Sequence, residues 1–320
     1  MYNQENMCFI ISLPRSGSTL LQSILAQHSS IKTTSEPWIL LKFADIDGSG
    51  NSFTVADYSF KDSNLAVNDF FGELKLARKA YLKKLRDFHL SLLQLKHNEV
   101  FIDKTPRYYL IIDFLKELYP NSKLIFLTRD PIDVFHSISN TWWANKLRPH
   151  HHYVDLFKGI KLIDKALVKY GKSSLVVRYE DIISDPDTCL ENIFNFLNIQ
   201  HEKVHLENIN PICKKSVMGD KKLLAQKSLI REQKRIVLNS RVKKIYIKKY
   251  IKWLDKNIVN PELKVSSEKY NSLSVDRLSL KRLKNEVEDL LYLTISFLSR
   301  LTLASLIIRK YKLGNYNKLD

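Results

Sequence analysis

Residues 9–30 read FIISLPRSGSTLLQSILAQHSS. An apolar run ends at Leu13, the loop Pro14-Arg15-Ser16-Gly17-Ser18-Thr19 follows, and residues at helical spacing resume at Leu20. A strand that turns into a helix through such a loop aims backbone N–H groups and the positive end of the helix at one point, where an anion belongs. Gly17 allows close backbone approach. Ser18 and Thr19 add hydroxyl donors, and Arg15 adds a planar cationic fork. A nucleotide triphosphatase loop reads G-x-x-x-x-G-K-[ST]. Here the Arg comes before the glycine and no Lys follows it.

The rest of the chain sets this loop in a repeating pattern. Residues 7–13, EVFIDKTP (99–106), KLIFLTRDP (123–131) and SLVVRYEDIISDP (174–186) read as strands. RYYLIIDFLKELYP and PDTCLENIFNFLNI read as helices, as does the segment after Asp130, a natural N-cap with Pro131 at the first helical position. Residues 45–64 read as a loop, and 66–97 as an amphipathic helix or a broken pair. Strands that are nearly continuous apolar runs, alternating with helices, predict an α/β fold: three α/β/α layers around a central parallel sheet. Ligands bind such sheets at the carboxyl ends of the strands. Arg15, Lys104, Arg129 and Tyr179 each follow an apolar run directly.

Charge divides the chain unevenly. The net charge of the 320 residues is +17, yet residues 1–200 hold 24 Lys and Arg against 22 Asp and Glu, and residues 201–320 hold 27 against 12. The expected division is an α/β domain over 1–235 and a basic helical extension over 236–320. That asymmetry suits an anionic membrane surface; its plainer reading is lysine on solvated helices. Residues 287–313 form a largely apolar stretch, charged at Glu288 and Asp289 near its start and from Arg309 near its end, and broken inside by Arg300, a charge that disfavours a bilayer span and favours an interfacial or packed helix. No nucleic-acid recognition motif accompanies the basic residues. The three cysteines are widely spaced and the N-terminus carries no signal-peptide pattern, so a cytoplasmic protein is expected, with peripheral contact to the inner face of the membrane.

PRSGSTLLQSIL resembles the 5′-phosphosulfate loop of the sulfotransferases that use 3′-phosphoadenosine 5′-phosphosulfate. LIFLTRDPIDVFHSIS is similar to their 3′-phosphate motif, with Arg129 at the strand end and Ser137 eight residues on. SEPWIL at 35–40 resembles the acidic position of the tyrosylprotein branch, which implies Glu36 as base. IDKTPRYYL resembles the family's Lys-containing strand end, and VVRYEDII the strand whose Tyr packs near the adenine. The resemblance implies Arg15, Ser16, Gly17, Ser18, Thr19, Arg129, Ser137 and Tyr179 as cofactor-binding residues, and Glu36, Lys104 and Arg15 as catalytic ones. It implies 3′-phosphoadenosine 5′-phosphate as product and no metal. At 216–228 Asp220 stands where relatives carry Asn, with Lys221 or Lys222 in place of a later Arg.

For the acceptor, Trp142 and Trp143 offer stacking faces that suit sugar rings, and His151 lies in the adjacent HHH run. A saccharide or cell-envelope glycan hydroxyl is expected first and a peptide tyrosine second. The other readings are a small-molecule kinase, which lacks its loop lysine, and a non-catalytic protein binding anions or membranes on the same scaffold.

Overall fold

The computed structural model describes residues 6–46, 78–96, 98–204, 237–265, 273–275 and 278–311. Residues 47–64 of the loop expected at 45–64, the first part of the helix expected from 66, and the 216–228 segment with Lys221 and Lys222 lie outside them; residues 45 and 46 instead end a helix that begins at Ile39. The chain forms two compact units: Met1–Arg129 with Lys161–Glu232, and Asp130–Ile160 with Gln233–Asp320.

The first unit is built on a five-stranded parallel sheet with flanking helices. Its strands are β1 (Met7–Ile11), β2 (Ile31–Thr33), β3 (Val100–Asp103), β4 (Lys123–Thr128) and β5 (Leu175–Arg178), in the order β2-β3-β1-β4-β5. β1 lies centrally, with Phe9 in register with Asp103 on one side and Leu124 on the other. Its five residues are all buried, which explains why the run is apolar without alternation. Cys8 and Ile10 face helix α1 (Ser18–Leu25) and the helix Pro186–Leu197, whose Leu190, Ile193 and Phe194 complete that core. Phe9 points to the other face, against Tyr108 and Tyr119. Each large side chain sealed in this way contributes about 1.5–3 kcal/mol.

The elements between strands are α2 (Ile39–Ile46), α3 (Arg78–Leu93), α4 (Ile112–Leu118) and α6 (Ile160–Tyr170), with α5 (Pro131–Trp142) in the second unit. Two expectations change. The strand expected over 174–186 ends at Arg178, and Tyr179 opens a short helix, α7 (Tyr179–Ser184), whose first turn carries Glu180 and Asp181. Acidic residues favour a helix N-terminus. The helix expected after Pro106 is broken at Ile111 into a 3-10 turn (Pro106–Leu110) and α4. The helix Pro186–Leu197 is α8, capped by Asp185 and ending on Asn198 in the left-handed region.

The second unit contains α5, α9 (Arg241–Asn257), a parallel pair β6 (Val237–Leu238) and β7 (Ser274–Val275), and α10 (Leu280–Tyr311). Asp130 caps α5 by accepting from the Ile132 N–H, and Pro131 is its first residue, as the sequence predicts. Lys243 is buried within this unit, and its ammonium donates to Asn145 O, Asn145 Oδ1 and Asn239 Oδ1 at 2.7–2.8 Å. Burial pushes this lysine down to about 8. All three of its protons are satisfied, which is what makes a buried cation tolerable. Among the described residues no helix is long and apolar enough to cross a membrane.

Candidate functional site

All five strands of the sheet run the same way, so their carboxyl ends form one rim. Across it, in sheet order, the chain leaves β2 toward Glu36, β3 into Lys104, β1 into the Arg15–Thr19 loop, β4 into Arg129 and β5 into Tyr179. Residues scattered over 165 positions thereby become neighbours.

The loop is wound around two left-handed residues, Arg15 at φ 71° and Gly17 at φ 95°. For Arg15 this costs roughly 1–2 kcal/mol, which the surrounding packing must offset. Alternation of this kind turns successive N–H groups to one side. Gly17 is the N-cap of α1 and, as a glycine, supplies no side-chain cap of its own to that end. Its first N–H groups are thus left to an anion rather than to a hydroxyl. Ser16 and Ser18 are buried beside it.

Gly17 also meets a second constraint. A Cβ there would lie 2.3 Å from Cδ2 of Tyr179. The Tyr179 ring in turn lies under the Arg129 guanidinium, 4.1 Å from the ring centroid. Arg129 Nη1 donates to the Arg15 carbonyl at 3.1 Å. Its buried Nε has no hydrogen-bond partner among the described residues. A buried guanidinium donor left over beside an uncapped helix end fits a phosphate-bearing ligand.

On the other side of the loop, Lys104 is fully buried, 2.7 Å from Glu36 Oε1, with Thr19 Oγ1 at 3.3 Å. The Glu36 side chain is itself 7% exposed. Desolvating such a pair costs about as much as the attraction returns, so stability alone is a poor reason to keep it. Three residues that the motifs do not mark hold Glu36 in place. Trp38, at φ 55°, donates its indole N–H to Glu36 Oε2 at 3.2 Å, and the Arg107 guanidinium lies 5.7 Å from the Trp38 ring centroid. Gln22 of α1 donates to Thr33 Oγ1 and to the Thr34 carbonyl, both at 2.7 Å, and so ties the end of β2 to the loop helix. A Gln inside an apolar helix face was the available signal.

Behind Lys104, Asp103 is buried, and its Oδ2 accepts from the Tyr108 hydroxyl at 2.7 Å. Burial pushes the Asp103 carboxyl up from 3.8 to about 7, against the pull of the Tyr108 hydrogen bond and of Lys104. The bound proton therefore stabilises the fold fully below about pH 4. That contribution is lost as pH rises to about 7, because the unfolded chain has already released the proton, and it amounts to a few kcal/mol in order of magnitude. Urea unfolding of Asp103→Asn from pH 4 to 8 is expected to lack this decline; an unchanged slope would assign it to another group.

Ser137, Trp142, Trp143 and His151 belong to the second unit. Ser137 lies on α5, two turns from its start. Trp143 is 1% exposed, packed edge-on against Phe135, with its indole N–H donating to His152 Nδ1 at 2.9 Å. It is a core residue and offers no stacking face, contrary to the expectation from sequence. Trp142 is exposed, with one face stacked on His152 at 4.7 Å. His151 is exposed on the short turn Pro149–His152.

The chain is similar to the nodulation protein NoeE of Sinorhizobium fredii, 25% identical over 252 residues that cover 70% of this chain and 58% of that protein. It is similar to a putative protein-tyrosine sulfotransferase of Caenorhabditis briggsae, 24% identical over 64% of this chain and 70% of that one. Among solved structures, the sulfotransferase domain from the Synechococcus PCC 7002 olefin synthase aligns over 87% of this chain and 92% of its own, at 21% identity and a TM-score of 0.48. The sequence model of the sulfotransferase family matches residues 8–203, a span that begins in β1 and ends past α8 and so takes in the whole rim. The chain belongs to the sulfotransferase family.

Proposed function

We infer that this protein transfers a sulfuryl group from 3′-phosphoadenosine 5′-phosphosulfate to a hydroxyl acceptor. The observation that carries the reading is the buried Lys104–Glu36 pair beside the Thr19 hydroxyl, at the mouth of an uncapped anion loop. When bound, the donor supplies an activated sulfuryl group on a phosphate leaving group. Arg15, the loop N–H groups and Thr19 would hold its 5′ end, and Arg129 its 3′-phosphate. Lys104 would neutralise the negative charge that gathers on the transferring group, and such charge stabilisation is the main means of catalysis in transfers of this type. Glu36 takes the acceptor proton at a carboxylate oxygen, its other oxygen held by Trp38. With two fixed cations present, the reaction is proposed to need no metal.

The acceptor is proposed to be a saccharide hydroxyl, supported by the exposed Trp142 with His151 close by in sequence. A peptide tyrosine is the second reading, favoured by the similarity to protein-tyrosine sulfotransferases. Calorimetric titration of 3′-phosphoadenosine 5′-phosphate, with and without EDTA, tests the donor. Binding is expected to be metal-independent and to weaken roughly 30-fold or more in Arg129→Ala, which removes charge-assisted hydrogen bonds worth about 2–3 kcal/mol. Binding of ATP with magnesium alone would point to a kinase, and binding of neither nucleotide to a non-catalytic scaffold.

A further inference from the structure

Helix α10 is packed the wrong way round for a water-soluble surface. A surface helix ordinarily turns its apolar stripe inward. Here the polar side faces the rest of the second unit. Asp289 is fully buried, accepting from the Leu147 N–H and the Ser240 hydroxyl. Glu288 pairs with Lys146, and the Tyr292 hydroxyl accepts from Arg148 at 2.6 Å. Arg282 is 6% exposed and donates to Glu286 one turn on.

The outward side is apolar. Leu283, Val287, Leu290, Leu291 and Phe297 are all exposed, Val287 to 67% and Phe297 to 64%. Leu283, Val287, Leu290 and Leu291 recur at three and four residues and Phe297 follows Leu290 by seven, which makes one stripe. In sequence the run continues to Ile308, interrupted by Arg300, so the helix carries more apolar residues than a two-position seam requires. A stripe of this size marks an interaction surface.

We propose that this stripe docks on the surface of an anionic lipid bilayer, with α10 lying in the headgroup region. Charge decides the occupant. Lys281 and Lys284 are exposed in the first turns of α10, Lys284 beside the stripe, and the exposed side of α9 carries Lys248, Lys249 and Lys252. Residues 201–320 hold 27 basic against 12 acidic residues, so a second copy would be repelled and an anionic headgroup layer attracted. Lys284, beside Leu283, Val287 and Leu291, can lay its stem along the stripe while its ammonium group reaches the phosphates. This inference does not depend on the sulfuryl-transfer reading.

The test is flotation of the full chain with vesicles of equimolar phosphatidylglycerol and phosphatidylcholine, or of phosphatidylcholine alone. Binding is expected to the anionic vesicles only, with release near 1 M salt, where screening acts within about 3 Å. Val287→Asp with Leu291→Asp, both on the outward side, is expected to weaken binding about 100-fold or more. If circular dichroism shows that this variant fails to fold, Lys281→Gln with Lys284→Gln serves instead, and a loss of about 30-fold is expected. Flotation unchanged by the substitutions overturns the proposal. So does light scattering that shows a concentration-dependent dimer, abolished by the double aspartate, in a protein that ignores vesicles.

Discussion

Glu36→Gln is expected to cut turnover by about 10²–10⁴ while leaving affinity for 3′-phosphoadenosine 5′-phosphate within about threefold of wild type, the range set by removal of a general base. Gln keeps the shape of the side chain and one acceptor oxygen for Lys104 or Trp38, but it cannot take a proton. The substitution also leaves the Lys104 ammonium buried without its counter-charge. Breaking one side of a buried pair costs up to about 3–5 kcal/mol, so the variant's melting point is expected to fall as well. The two effects separate in the measurement. Activity per folded molecule, with the folded fraction read by circular dichroism, isolates the chemical loss. Near-normal turnover in folded enzyme would remove Glu36 from the reaction and leave it as a partner that merely neutralises Lys104.

Gly17→Ala carries the second large effect, for steric rather than chemical reasons. The new methyl group would lie 2.3 Å from Tyr179 Cδ2 and 2.7 Å from its Cε2, at a φ of 95° that L residues rarely adopt. Tyr179 has little freedom to retreat, because the Arg129 guanidinium lies against its ring. Arg129 in turn donates to the Arg15 carbonyl, so a displaced ring would disturb the loop from both ends. Donor affinity is expected to drop at least about 100-fold, with stability lowered by about 1–3 kcal/mol. Tyr179→Ala in the same background provides the check. If the clash is the cause, removing the ring restores part of the stability lost in Gly17→Ala, though the strain at φ 95° remains. Equal destabilisation with and without the ring would place the whole cost in the backbone.

The sequence carries the central features of this fold for a physical reason. β1, and β4 from Leu124 to Leu127, are buried on both faces, so these residues are apolar in unbroken runs, and that makes them conspicuous in sequence. The loop was equally legible, because Gly17, at a φ of 95°, and the small residues Ser16, Ser18 and Thr19 around it stand out after an apolar run. β2 was not legible. It is a three-residue edge strand, IKT, too short to show any period, yet it is the strand that delivers Glu36. The pairing of Lys104 with Glu36 was hidden for the same reason, since only the sheet order β2-β3-β1 makes positions 36 and 104 neighbours. Trp143 misled in the opposite direction. An aromatic pair after a helix signals either a stacking face or a core, and only the packing on Phe135 and the hydrogen bond to His152 distinguish them.

Because every strand of the sheet points the same way, the candidate site residues gather at one end of the sheet and leave the other end without any. The strands are entered near Ser30, Glu99, Ser122 and Ser174, and none of the candidate site residues lies at those entries. The turn Gly171–Ser173 exposes Lys172 and Ser173, and a Cβ built at Gly171 meets nothing within 4 Å. A fluorophore, an affinity handle or a short peptide grafted there would sit at the far end of β5 from Tyr179. That turn is the natural point for attaching a label to the first unit away from its candidate site.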